Sequence, residues 1–349
     1  MNEFALIDRY FARPVRDPAV RLGVGDDAAI VAPAPGCDFA VSVDMLVEGR
    51  HFLPDVAPEA LGHKTLAVNL SDLAAMGARP RFALLAGALP DADEAWLDAF
   101  SRGLFALADR FDVTLIGGDT TRGPRNLCLT IIGEVPSGTA ITRSGAHAGD
   151  DVWVSGMLGD AMLALAAMQG RTVIDAASLA SLRERLERPE PRIDLGMRLR
   201  GIATAALDVS DGLVGDLAHI LDASHVGADI DLAAIPRSAE VDAKLVGERE
   251  LALSCLLAGG DDYELCFTAP VAARGRLGAL ALELCLPLTR IGAIRAGAGL
   301  VVRDEHGVAL DELPRAFDHF VAATTPAPAS PAAAGGGGPV PRGSPSEQA

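Results

Sequence analysis

The chain has 349 residues, half of them hydrophobic but only 4 % aromatic, with 30 Lys+Arg against 47 Asp+Glu and a formal net charge of −17 at pH 7. At about 100–200 residues per domain that length predicts two domains, with cores of Ala, Val, Leu and Ile. A field of this sign repels phosphate backbones and anionic membranes, which argues against nucleic-acid and membrane-surface binding, and no apolar run approaches the roughly 18 residues of a spanning helix. The opening MNEFALIDRYFARPVRD lacks the basic-then-apolar order of a signal peptide. Five cysteines (Cys37, Cys128, Cys255, Cys266, Cys285) are odd in number and show no CxxC spacing. They suggest no disulfide framework and no zinc cluster, and suit a reduced, cytoplasmic protein with four of the five thiols buried.

Taken in chain order, apolar and β-branched runs alternate with Ala/Leu-rich helical stretches. FAVSVDMLV (39–47) predicts a strand, VAPEALGHKTLAVNLSDLAAMG (56–77) and EAWLDAFSRGLFALADRF (94–111) helices, and VTLIGGD (113–119) and CLTIIGEV (128–135) strands. Beyond them DVWVSG (151–156) predicts a strand, LGDAMLALAAMQ (158–169) a helix, ALDVSDG (206–212) a strand and DGLVGDLAHILDAS (211–224) a helix. ADIDL (228–232), YELCFTA (263–269) and LTRIGAI (288–294) complete the strands. This is an α/β pattern of the α+β type, with parallel and mixed sheets both open. PSGTAITRSGAHAGDD (136–151) is the richest turn segment. It divides the chain into an N-terminal domain, 1–137, and a C-terminal domain, 138–322. Residues 323–349 are dominated by Pro, Gly and Ala, cannot bury enough apolar area to offset their ordering entropy, and are expected to be a disordered tail.

Acidic residues recur after apolar strands or beside glycines: Asp26 and Asp27 in GVGDDAAIV, Asp44 in SVDMLV, Asp119 in LIGGDTTRG, Asp208 and Asp211 in LDVSDGL, Asp261 and Asp262 in GGDDYEL. Asp72 differs, lying inside a helical pattern three residues after Asn69, so both side chains share one helix face. Taken singly, an Asp-Gly or Gly-Asp reads first as an ordinary turn or cap, and Asp72 as readily as part of an exposed polar helix face. Together they suggest carboxylates converging on a crevice at strand ends, where hard cations such as Mg²⁺ neutralise them and bridge substrate phosphates.

No GxxxxGK[ST] occurs and the chain has two lysines, Lys64 and Lys244, so a P-loop is excluded, as is the protein-kinase motif set. GVGDDA matches G-x-G-x-x-A, but its two acids would oppose a pyrophosphate, so it reads as a metal loop. Phosphate contacts would then fall to backbone amides and to Arg122, Arg125 and Arg143. His51 lies in a polar loop, and no nucleophilic triad stands out. At this level a phosphotransferase, an ATP-dependent ligase and a non-catalytic nucleotide or divalent-ion binder all remain open.

GVGDDAAIV, SVDMLVEGRHF, HKTLAVNLSDLAAMGARP, LIGGDTTRGP, ITRSGA, LDVSDGL and GGDDYELCF follow one another with the spacing of the bacterial thiamine-monophosphate kinases, a family similar to aminoimidazole ribonucleotide (AIR) synthetase. The resemblance runs from about residue 3 to residue 320. It implies a two-domain AIR-synthase-like fold whose N-terminal domain pairs across a homodimer. It also implies transfer of the γ-phosphoryl of ATP onto thiamine monophosphate, giving thiamine diphosphate, with several Mg²⁺ ions.

Carried over by position, the resemblance implies that Asp27, Ser42, Val43, Asp44, Asp72, Asp119, Asp208 and Asp211 hold the metals. Gly118, Asp119, Arg143 and Ser210 would contact ATP, and His51, Asp261 and Phe317 the thiamine side. The chain departs from the family at two places. Its acidic turn is Gly260-Asp261-Asp262 where Gly-Glu-Asp is usual, and Phe317 stands where Trp is usual.

Overall fold

The computed structural model describes residues 3–24 and 28–314. Asp26, Asp27, Phe317 and the 323–349 segment lie outside the described residues. The first part of the chain forms α1 (Glu3–Tyr10), β1 (Val20–Leu22), β2 (Ile30–Val31), β3 (Cys37–Val47), α2 (Pro58–Ala75), β4 (Arg79–Leu89), α3 (Glu94–Arg110), β5 (Thr114–Arg122) and β6 (Asn126–Pro136). The second forms β7 (Asp151–Ser155), α4 (Asp160–Met168), α5 (Ala176–Glu187), α6 (Ile193–Leu199), β8 (Ala205–Asp208), α7 (Leu213–Ser224), β9 (Gly227–Asp231), α8 (Ala239–Gly247), α9 (Arg249–Ala258), β10 (Leu265–Ala269), α10 (Arg274–Glu283), β11 (Leu288–Arg295) and β12 (Gly299–Arg303).

Both large sheets are mixed. The four-stranded sheet has the order β3-β6-β4-β5, antiparallel except for the β4–β5 pair. The six-stranded sheet has the order β12-β9-β11-β7-β10-β8, antiparallel except for β12–β9. Strands β7 and β10 and the edge strand β8 are buried along their whole length, as expected of strands covered on both faces.

Helix α2 lies between these layers. It packs against α3, β3 and β6 from the first part of the chain and against α6 and β8 from the second. Fourteen of its 18 residues are buried, so it lacks the single apolar stripe of a surface helix. Its contact with α3 is a backbone approach. A Cβ on Gly62 would stand 2.0 Å from the Phe100 carbonyl oxygen, and one on Gly103 1.8 Å from that of Glu59. One continuous core runs from the four-stranded sheet through α2 to Trp153 and Phe267, whose rings stack 6.4 Å apart. A second core covers the opposite face of the six-stranded sheet beneath α4, α7 and α9.

The element order follows the sequence reading, with differences. β4 emerges from RPRFALLAGAL, a segment whose Ala and Leu favour helix; pairing with β6 and β5 on its two sides overrides that preference. Two cysteines, Cys255 and Cys266, are buried instead of four; Cys37 and Cys128 are half-buried and Cys285 is exposed.

Candidate active site

β3 alternates strictly. Ser42 and Asp44 lie on the face toward α2, while Phe39, Val41, Val43 and Met45 lie on the other face and are exposed. From α2, Asp72 accepts a 2.5 Å hydrogen bond from Ser42 Oγ, and Asn69 Oδ1 accepts the Asp44 N–H at 3.2 Å. Asn69 is held in turn by its own amide, which donates to the Thr65 carbonyl one helical turn back. Asp72 lies inside a helix, as its spacing from Asn69 predicts, whereas Asp44 lies inside β3 rather than in a turn after it. Only the backbone of Val43 can serve the site, since its side chain points away.

The other half of the site comes from the six-stranded sheet. Asp208 is the last residue of β8 and is buried. The following turn is held by Asp216, in the first turn of α7, whose Oδ2 accepts the N–H groups of Ser210, Asp211 and Gly212, each at 3.0 Å. Burial, with the charges of Asp72 and Asp211, pushes Asp44 up to about 7. Burial and the charge of Asp72, with Asp216 and Asp44 adding to it, push Asp208 up to about 8. Burial also raises Asp72, against the Ser42 hydrogen bond and the charge of Arg143. Asp216 is pushed up to about 7 by burial, with Asp211 contributing. Asp44, Asp72, Asp208, Asp211 and Arg143 therefore share one electrostatic neighbourhood spanning both sheets.

Among the described residues no three His, Cys, Asp or Glu side chains close on a common point. The donors gathered here are nonetheless carboxylate and hydroxyl oxygens only, the set that suits a hard divalent cation. Asp119 does not join them. It lies inside β5, opposite Ala86, which pairs with Cys128 and then with Met45. It is thus three strand spacings, roughly 14 Å along the sheet, from the Asp44 row. Gly118 and Asp119 instead line a cavity of about 870 Å³, together with Asp8, Val24, Ala28 and Thr120.

On the predicted acceptor side, His51 Nδ1 accepts the Val47 N–H at 3.0 Å. A neutral ring so held carries its proton on Nε2. Asp261 and Asp262 diverge. Asp262 is half-buried and both its oxygens accept the Gly159 N–H at the start of α4, so it is structural. Asp261 turns toward α2, 3.0 Å from Lys64 Nζ. The predicted phosphate-binding arginines separate too. Arg125 is paired with Glu48 and lies over the Trp96 ring, 4.8 Å from its centroid, and Arg122 donates to the Pro90 carbonyl. The sequence reading missed Asp216 and Lys64. The signal for both was there in outline: an acid in the first turn of a helix after Asp-Gly, and one of two lysines placed in an Ala/Leu-rich helix.

Two mixed sheets joined by a buried helix that carries carboxylates define the class. The N-terminal domain of AIR synthase related proteins matches residues 25–135, and their C-terminal domain matches residues 147–305. Within that class the chain belongs to the thiamine-monophosphate kinase family. It is 50 % identical over 324 residues to the thiamine-monophosphate kinase of Escherichia coli O157:H7, covering 91 % of this chain and 98 % of that one. A crystal structure of thiamine-monophosphate kinase from Stenotrophomonas maltophilia K279a is 50 % identical and superposes with a TM-score of 0.81, covering 88 % of this chain and 98 % of that one. AaThiL, solved with AMPPCP and TMP, is 30 % identical with a TM-score of 0.72, covering 83 % and 89 %.

Proposed function

We propose that this chain transfers the γ-phosphoryl group of ATP to the phosphate of thiamine monophosphate, giving ADP and thiamine diphosphate. The observation that carries the reading is the gathering of carboxylates from β3 and α2 with those of β8 and the turn after it, Asp208 buried and Asp44 and Asp72 half-buried. The P–O bond to the ADP leaving group breaks as one forms to an acceptor phosphate oxygen, so no protein nucleophile is required. Asp44, Asp72, Asp208 and Asp211, with the Ser42 hydroxyl and the Val43 carbonyl, would hold Mg²⁺, as would Asp27 and Asp119 by family position. When bound, the ions neutralise phosphate charge on a protein that is itself strongly acidic.

The protein's own part is positioning. The Asp216 carboxylate fixes the backbone of Ser210 and Asp211. Gly118, Asp119, Arg143 and Ser210 are proposed to hold ATP, and the cavity beside Gly118 has the volume of a ligand site. His51 presents a donor at Nε2, suited to an anionic acceptor, and Asp261 and Phe317 complete the thiamine side. The row Phe39, Val41, Val43 and Met45, exposed by 41, 62, 57 and 51 % on an edge strand, supports a homodimer formed through the N-terminal domain. The domain division at residue 137 and a cytoplasmic location belong to the same reading; among the described residues no helix is long and apolar enough to cross a membrane. The test is ADP release measured against a panel of phosphorylated acceptors. Release that depends on thiamine monophosphate supports the reading, and release with an amide-bearing ribonucleotide instead would replace it with ligase chemistry.

A further inference from the structure

Lys64 is a buried cation with an unusual set of partners. Its side chain is 3 % exposed on α2, and its Nζ lies 3.0 Å from Asp261 Oδ1 and 3.4 Å from the His51 carbonyl oxygen. An ammonium leaves water at a high cost unless its partners are well placed, so a core position gains little from lysine for stability alone. The partners are the two described residues expected on the acceptor side, and they come from different parts of the chain.

Asp261 is constrained further. The Tyr263 hydroxyl donates to the same Oδ1 at 3.0 Å, and the Asp261 N–H donates to the Ser210 carbonyl at 2.9 Å. Both Asp261 (φ 68°) and Tyr263 (φ 50°) adopt left-handed backbone, which a non-glycine residue holds only where its surroundings fix it. The turn is thus bent so that one carboxylate faces α2 while Asp262, next in sequence, accepts the Gly159 N–H at the start of α4.

We propose that Lys64 is a positioning residue for the acceptor: with Tyr263 it locks the Asp261 carboxylate, and through the His51 carbonyl it ties that carboxylate to the His51 loop. This rests on the phosphotransferase reading above. The partners of Lys64 Nζ, Asp261 and the His51 carbonyl, stand apart from the carboxylates proposed to hold Mg²⁺. Its removal loosens acceptor binding and leaves ATP binding alone.

The test compares the wild-type chain with Lys64→Met and Tyr263→Phe at saturating Mg²⁺. It reads KM for each substrate, the calorimetric Kd for thiamine monophosphate, and Tm. Loss of a charge-assisted contact predicts an acceptor KM and Kd about tenfold higher in Lys64→Met, and loss of the neutral donor about threefold higher in Tyr263→Phe, with KM for ATP unchanged in both. An unchanged acceptor constant, or both constants rising together with a lower Tm, overturns the proposal. Should Lys64→Met fail to fold, Tyr263→Phe removes only a hydroxyl and reads the same split. Wild-type turnover with unshifted variants refutes this inference alone. A wild-type chain that does not use thiamine monophosphate refutes the underlying reading, and this one with it.

Discussion

The Ser42 hydroxyl on β3 and the Asp72 carboxylate on α2 meet at 2.5 Å. That bond ties an edge strand to the helix linking the two sheets, and the Asp72 charge raises the Asp208 carboxyl. Asp44→Asn and Asp72→Asn each delete one charge while keeping an oxygen that can accept a hydrogen bond. Each is expected to lower turnover by about 10–100-fold at limiting Mg²⁺, the usual cost of losing a metal-binding group, and to raise Tm in chelator by relieving burial and repulsion of charge. Near-normal turnover in both variants would remove these residues from the metal site.

The raised carboxylates fix the sign of a pH effect. Asp44 and Asp216 near 7 and Asp208 near 8 lie well above the ordinary value of about 3.9 for Asp in an unfolded chain. The folded protein therefore holds more protons than the unfolded chain between these limits, and stability falls as pH rises through 7 and 8. Between pH 6 and 8.5 each of these groups contributes roughly 1–3 kcal/mol of that loss, Asp208 the most. Tm in chelator should fall across this window, and the gain from added Mg²⁺ should grow with pH, because the cation binds the ionised form. A Tm in chelator that rises from pH 6 to 8.5 would contradict the burial of charge in this cluster.

Asp216 gives a third expectation. One carboxylate oxygen accepts three consecutive backbone N–H groups, so Asp216→Ala leaves all three unpaired beside a buried helix start. That costs about 1–3 kcal/mol and releases the backbone of Ser210. The variant should show a lower Tm and a higher KM for ATP, and Asp216→Asn, which keeps one acceptor, a smaller shift in both. Equal behaviour of the two variants would show that the turn is held by something other than this oxygen.

Much of this was legible in the sequence where local pattern and tertiary role agree. SVDMLV alternates, so its strand and the shared face of Ser42 and Asp44 could be read directly. The spacing of Asn69 and Asp72 put both on one face of α2, as the structure has them. What remained hidden depends on contacts far apart in sequence. RPRFALLAGAL becomes β4 because two strands claim it, and nothing within those residues says so. LIGGD looks like the same acidic strand end as the others, but β5 continues through Asp119 to Arg122 at the far edge of the sheet. GGDDYEL could not reveal that its two acids part company, because left-handed backbone at Asp261 and Tyr263 is imposed by Lys64, Ser210 and Val209 from elsewhere in the chain.

The apolar row on β3 supplies the last prediction. Phe39, Val41, Val43 and Met45 stand on one face of an edge strand, the kind of surface that a lone protein blunts with charge or covers. The opposite face of the same strand is occupied by α2, so a second copy of the chain is the occupant that a homodimer predicts. Phe39→Glu and Val41→Glu together place two charges in that contact without touching Ser42, Asp44 or the Val43 carbonyl. Sedimentation velocity at micromolar concentration should give a dimer for the wild-type chain and a monomer for the double variant, with the far-ultraviolet spectrum unchanged. A wild-type chain that sediments as a monomer, or a double variant that stays dimeric, would place the subunit contact somewhere other than β3.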